Sequence, residues 1–102
     1  MKRKTENVLL ELGITPNLKG FEYICRGVEI LQEKEGKIKV VDGLYVQIAE
    51  EYNTKKQRVE RAIRHAISKA EKDGAPWRKY IGIRHTTNSS FLFILAIRLR
   101  ED

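Results

Sequence analysis

Apolar residues recur at intervals of three and four along most of the chain, the spacing of one face of an α-helix. The first set predicts a helix over residues 4–12 that ends at Gly13. A second set predicts a helix ending near Gly36, and its apolar face comprises Leu18, Phe21, Ile24, Cys25, Val28 and Leu31. Gly20 and Gly27 each weaken that helix by roughly 1 kcal/mol relative to Ala, so we interpret them as points of close packing.

Two more helices are predicted after residues 37–43, which we interpret as a loop. The first covers residues 44–52 and the second covers residues 55–73. Apolar positions in the longer helix follow the order i, i+3, i+4, i+7, i+8, i+11 without a break: Val59, Ala62, Ile63, Ala66, Ile67 and Ala70. Thr54 and Gln57 have the spacing of a capping box at its start.

The C-terminal third of the chain predicts one short helix and one longer helix. Pro76 opens a turn of helix that contains Trp77, and the last helix runs from Phe91 after a stretch of capping residues, Thr86–Ser90. The last helix is apolar nearly all round, which indicates burial in the core or half burial against a second copy. Polar and apolar residues alternate over residues 80–84, so a short strand is also possible there. The chain is therefore predicted to be all-α, with about six helices.

Three residues at fixed spacing indicate that the helices over 44–52 and 55–73 form a helix-turn-helix. Ala49 is small where two helices would cross, and Asn53 tolerates the left-handed turn that follows. Val59, six residues further on, would fill the angle between the helices. This motif places one helix in the major groove of DNA.

Composition narrows the function classes. With 102 residues the chain is predicted to be a single domain over residues 1–102, and its longest apolar run is far shorter than the roughly 20 residues of a membrane span. The single cysteine, Cys25, excludes an intrachain disulfide and fits the cytoplasm. Of the net charge of +6, most lies in residues 53–72, which hold seven Lys or Arg and two Asp or Glu. A basic block of this kind is typical of a nucleic-acid binder.

The polar side of the helix over residues 55–73 carries the side-chain types that read base edges. Arg donates in a fork to guanine, Gln pairs with adenine and Glu accepts from cytosine. The candidates for base contacts are Gln57, Arg58, Glu60, Arg61, Arg64 and His65. The candidates for phosphate contacts are Lys55, Lys56, Ser68, Lys69 and Lys72. No metal-ligand spacing, phosphate loop or catalytic set is present, so we expect no enzyme, metal or cofactor.

Other interpretations of the basic helix remain open at this point. It could be a solvated surface face, or a helix that lies on an anionic membrane, although its alanine-rich apolar side favours helix packing over lipid. A protein-interaction domain is the main alternative function: the last helix and the Trp77 region would bind another regulator without reading DNA.

The run Leu44-Tyr45, Ile48-Ala49, Tyr52-Asn53-Thr54 and Arg58–Ile67 closely resembles the C-terminal effector domain of the sporulation initiation response regulators, the stage zero sporulation protein A family. Leu18–Phe21 with Tyr23, and Thr87–Ser89 with Phe91, agree with the same family.

The resemblance implies a six-helix domain that binds a repeated promoter element as a transcription regulator. It also implies a homodimer on tandem sites through the last helix, with RNA polymerase as a further partner. No receiver domain precedes the resembling region, so we expect control without phosphorylation in cis.

Overall fold

Six helices make up most of the computed structural model, which describes residues 2–34, 41–71, 75–82 and 86–100. They are α1 (Lys2–Glu11), α2 (Lys19–Lys34), α3 (Val41–Glu51), α4 (Lys56–Ala70), α5 (Ala75–Tyr80) and α6 (Asn88–Arg100). No strand occurs within the described ranges. The all-α prediction is confirmed.

Helix α2 lies at the centre of the domain and packs against α1, α3, α4 and α6. Its predicted apolar face is buried at Phe21, Ile24, Cys25, Val28 and Leu31, and Leu18 packs against the core from the preceding turn. Tyr23 and Ile30, on the opposite side of the helix, are buried as well. Cys25 is thus a core side chain, as predicted.

Gly20 lies at a close approach between α2 and α4. A Cβ atom built there would be 2.4 Å from the carbonyl oxygen of Ala62 and 2.9 Å from the Cβ of Ala66, so only glycine fits. At Gly27 the nearest atom would be 3.5 Å from an added Cβ, which is an ordinary contact distance. Close packing is confirmed at Gly20, whereas Gly27 has room for a methyl group.

The stop signal at the end of α1 acts as predicted. Gly13 has a φ of +89°, and its amide donates to the carbonyl of Leu10 at 3.1 Å. The next amide, of Ile14, donates to the carbonyl of Leu9 at 2.8 Å. These two bonds form a Schellman motif, which satisfies carbonyls that the helix would otherwise leave unpaired.

Two predictions about the starts of α3 and α4 are wrong. Helix α3 begins at Val41, so residues 41–43 are helical rather than loop, and residues 37–40 lie outside the described ranges. The N-cap of α4 is Lys55, without a side-chain cap, instead of Thr54 in a capping box with Gln57. Lys55 has the extended backbone angles of the residue before a helix, φ −106° and ψ 148°, whereas Thr54 still belongs to the turn that ends α3, its amide donating to the carbonyl of Ala49 at 2.8 Å. Helix α4 ends at Ala70, and residues 72–74 also lie outside the described ranges.

The C-terminal helices begin earlier than the pattern indicated. Helix α5 starts at Ala75 and includes Tyr80, and Ile81 with Gly82 forms a turn, so the alternation there does not begin a strand; residues 83–85 are outside the described part. Helix α6 starts at Asn88, three residues before Phe91. Its cap is the Thr87 hydroxyl, which accepts the amide of Ser90 at 3.1 Å.

Trp77 closes the core on the side of α5. Its ring is 3% exposed and stacks on Phe91 of α6, with centroids 5.7 Å apart and planes 20° from parallel. The side chain is therefore unavailable for stacking on a base. Tyr80 is half-buried, and its hydroxyl donates to Glu11 of α1.

Candidate nucleic-acid interface

Helices α3 and α4 form the helix-turn-helix that the spacing predicts. Asn53 has a φ of +53°, and its amide donates to the carbonyl of Glu50 at 3.3 Å. Together with the bond from Thr54 to Ala49, this makes the turn a second Schellman motif, with Asn in the position that usually holds Gly. Ala49 is buried at the crossing of the helices, and Val59 is fully buried between them.

Side chains of α2 hold the turn in place. The Arg26 guanidinium donates from Nε and Nη2 to the two carboxylate oxygens of Glu51, at 2.7 and 3.0 Å. The Tyr52 hydroxyl donates to a Glu22 oxygen at 2.9 Å, and the Tyr52 ring meets Tyr23 edge-on with centroids 5.2 Å apart. Partial burial and the bond to Glu22 raise the pKa of Tyr52 to about 12. The orientation of the motif is thus fixed by polar contacts as well as by its apolar seam.

Sequence reasoning did not find these anchors. Arg26 and Glu51 are 25 residues apart, and Glu22 and Tyr52 are 30 apart. Helical periodicity relates residues three or four apart and carries no signal for such pairs. The sequence offers one weak indication of such a pair: an acidic residue, Glu51, ends a predicted helix of the helix-turn-helix, and the predicted helix before it carries a basic residue, Arg26.

Replacing Glu51 by Gln should lower stability by about 0.5–1 kcal/mol at pH 7, the upper range for an exposed ion pair. The hydrogen bond from Arg26 holds the pKa of Glu51 below its ordinary value. A carboxyl of this kind stabilises the fold above its unfolded-state pKa and loses that effect as the pH falls through its folded-state pKa. Thermal melts should therefore differ between wild type and Glu51→Gln at pH 6–7 and converge on acidification.

Glu50→Gln is the matched control, since it removes the same charge from an exposed neighbour on the same helix. We expect it to melt like wild type throughout. A difference between Glu51→Gln and wild type that persisted unchanged into acid would assign the effect to packing instead of charge.

The outer face of α4 presents most of the predicted site residues. Six of them are exposed: Lys55 at the N-cap, Gln57, Arg58, Glu60, Arg61 and His65. Lys69 in the last turn is exposed too, and Lys56, Arg64 and Ser68 are half-buried. Lys72 lies outside the described residues. At 100° per residue, Gln57, Arg61, His65 and Ser68 lie within about 80° of arc on one side of the helix.

The opposite side of α4 is packed into the domain. Val59, Ile63, Ala66, Ile67 and Ala70 are fully buried, and Ala62 is partly buried against the core. The apolar stripe and the polar face are therefore separated as the periodicity predicted. Cationic side chains outnumber carboxylates six to two from Lys55 to Glu71, and the Glu71 carboxylate is paired with Arg64. The exposed side of the helix is positively charged.

Arg64 is the one predicted base-contacting residue whose side chain bonds within the described part of the protein. Its Nη1 donates to the carbonyl oxygen of Thr86 at 2.7 Å, and its Nη2 lies 3.2 Å from a Glu71 carboxylate oxygen. The side chain is 40% exposed. The structure thus places Arg64 at the boundary between α4 and the segment that leads into α6.

Comparison with known families identifies the fold. A family model described as the C-terminal domain of the sporulation initiation factor Spo0A matches residues 5–99. The chain belongs to this family. The Spo0A C-terminal domain is a DNA-binding effector domain that acts in sporulation control, so the resemblance seen in the sequence is confirmed.

The described part of this Spo0A-type domain also bears on two other classes of site. No helix in it is long and apolar enough to cross a membrane. Within the same ranges, no group of three or more His, Cys, Asp or Glu side chains is arranged to hold a metal ion. The chemistry that the domain does present is the cationic face of α4.

Proposed function

We propose that this protein binds double-stranded DNA sequence-specifically, with α4 in the major groove, as a bacterial transcription regulator related to sporulation control. The observation that carries the proposal is the exposed cluster on the N-terminal half of α4, a helix whose opposite side is buried in the core. Residues in that half of a recognition helix meet base edges. DNA as the ligand implies a location in the cytoplasm, with the chromosome.

Base contacts are assigned to five exposed residues: Gln57, Arg58, Glu60 and Arg61 in the N-terminal half of α4, and His65 one turn after Arg61 on the same side. Arg64 is not included in this group because its guanidinium is bonded within the protein. Phosphate contacts are assigned to Lys55, Lys56, Ser68 and Lys69 at the two ends and the edge of the helix, and to Lys72, which follows in the sequence. In this division the lysines position the protein on the duplex, and the arginine guanidinium groups and the glutamine amide discriminate between bases.

The salt dependence of binding tests the phosphate contacts. If four lysines each neutralise one phosphate, the plot of log K against log salt has a slope of about −3.6 or steeper, because each contact releases counterions. Fluorescence anisotropy with a labelled duplex at several salt concentrations measures it. We expect Lys69→Gln to make the slope shallower by about 1.

The matched control is Lys79→Gln, which removes an exposed lysine on α5 that lies over the Tyr80 ring. Its slope should equal that of wild type. Equal slopes for Lys69→Gln and wild type would contradict the assignment of Lys69 to a phosphate.

A second candidate function is favoured by the surface of α6. Ile97 is 64% exposed, and Phe93 and Ile94 are half-buried beside it, so the helix presents an apolar outer face. We propose that this face contacts a second copy of the protein on an adjacent DNA site. The alternative in which the last helix and the Trp77 region bind another regulator keeps only α6 as its surface, because Trp77 lies in the core. Contact with RNA polymerase stays a prediction from the sequence.

A further inference from the structure

Three hydrogen bonds join one edge of α4 to the residues that begin α6. Arg64 Nη1 donates to the Thr86 carbonyl at 2.7 Å, and the Thr86 amide donates to Glu71 Oε2 at 3.2 Å. Asn88 Nδ2 donates to the carbonyl of Glu60 at 3.1 Å. Residues 60, 64 and 71 lie within about 40° of one another around the helix, so the contacts follow a single line along α4.

We call this line of contacts the α4–α6 seam. Arg64 lies in the middle of it and contacts Thr86 on the α6 side and Glu71 on the α4 side. Its guanidinium bridges the Thr86 carbonyl and the Glu71 carboxylate, and that same carboxylate accepts the Thr86 amide. The Glu71 side chain is only 16% exposed, and charged hydrogen bonds to a shielded carboxylate are among the stronger polar contacts. Removing Arg64 leaves this carboxylate without its cation.

Reading a guanine would compete with the contacts that the Arg64 guanidinium already makes inside the protein. A bidentate contact employs two N–H groups of the guanidinium fork, directed at two acceptors in one plane. In the structure Nη1 donates to the Thr86 carbonyl at 2.7 Å and Nη2 is ion-paired with the Glu71 carboxylate at 3.2 Å, so turning the fork towards a base would disrupt both contacts. Arg61, one turn earlier, is exposed.

We propose that Arg64 is a positioning residue that clamps the start of α6 to α4, and that it does not read a base. The clamp itself is a property of the free protein, but its consequence for DNA rests on the proposed function of α4. It fixes the outer face of α6 relative to the reading helix, and it limits the arginine readers to Arg58 and Arg61.

The stability arm of the test needs no DNA. We expect Arg64→Met to lower the melting temperature by roughly 4–8 °C, the shift typical of losing one strong polar contact in a domain of this size. Arg64→Lys, which keeps a cation near Glu71, should recover part of the loss. Arg61→Met is the matched control and should melt within about 2 °C of wild type, as exposed substitutions do.

A double mutant separates the clamp from general damage to the fold. Glu71→Gln keeps an oxygen for the Thr86 amide but removes the charge that faces Arg64. If the two residues act together, the melting temperature of Arg64→Met with Glu71→Gln falls by less than the sum of the single changes. Additive losses would overturn the proposal.

The DNA arm uses selection from a random-sequence duplex pool with each variant. We expect Arg64→Met to select the same base as wild type at every position, whereas Arg61→Met should lose its preference at one base pair. The dependence of Arg64→Met binding on salt concentration should also equal that of wild type. Loss of preference at one base pair in Arg64→Met, with an unchanged melting temperature, would overturn the clamp. If wild type selects no sequence while Arg64→Met still melts early, the clamp stands and the proposed function fails.

Discussion

Gly20→Ala should destabilise the domain by about 3 kcal/mol, at the upper end of the cost of overpacking a core. The added methyl group would meet the Ala62 carbonyl oxygen at 2.4 Å and the Ala66 Cβ at 2.9 Å. Both neighbours belong to the body of α4 and cannot rotate away as the end of a flexible side chain can. The clash can be relieved only if α2 and α4 separate, and that separation weakens the apolar contacts between the two helices. Urea unfolding followed by circular dichroism measures the change.

Two other helical glycines supply matched controls for this substitution. An added Cβ at Gly27, in the same helix, would lie 3.5 Å from a Leu92 methyl carbon and further from its other neighbours. At Gly43, in α3, no atom lies within 4 Å. Alanine should therefore be neutral or stabilising by up to roughly 1 kcal/mol at both positions, because it favours the helix. Equal losses at Gly20 and Gly27 would contradict a close approach specific to Gly20.

The periodic parts of the structure could be predicted because the physics that forms them is local. An unbroken 3.6-residue pattern from Val59 to Ala70 needs only one buried side, and the structure buries that side. Gly13 and Asn53 tolerate positive φ, and both end a helix where predicted. The outward face of α4 follows from the same periodicity.

Features that depend on a distant residue could not be predicted. The ion pair of Arg26 with Glu51 joins residues 25 positions apart, which helical periodicity does not relate. Arg64 has the side-chain type of a base reader, and its hydrogen bond to the Thr86 carbonyl, 22 residues away, has no signal in the sequence. Residue type states what a side chain can do, and the partner that folding brings near decides which of those options it takes.

Arg61→Met should weaken binding to the preferred duplex by about 1–3 kcal/mol, a roughly 5- to 150-fold rise in Kd. The side chain is exposed in the N-terminal half of α4, at the angular centre of the proposed reading face. Methionine keeps the aliphatic length but removes every donor. Because a lost base contact affects only the cognate sequence, we expect binding to a scrambled duplex to weaken much less.

Arg78→Met is the matched control, since it removes the same guanidinium from an exposed position on α5, outside α4. It lowers the net charge equally, so any change common to both variants measures long-range attraction alone. A Kd for the preferred duplex that shifts equally in Arg61→Met and Arg78→Met would remove the base-reading role of Arg61. If Arg61→Met also abolished capture of another regulator in a pull-down, that result would count against the protein-interaction alternative, because that alternative confines the contact to α6.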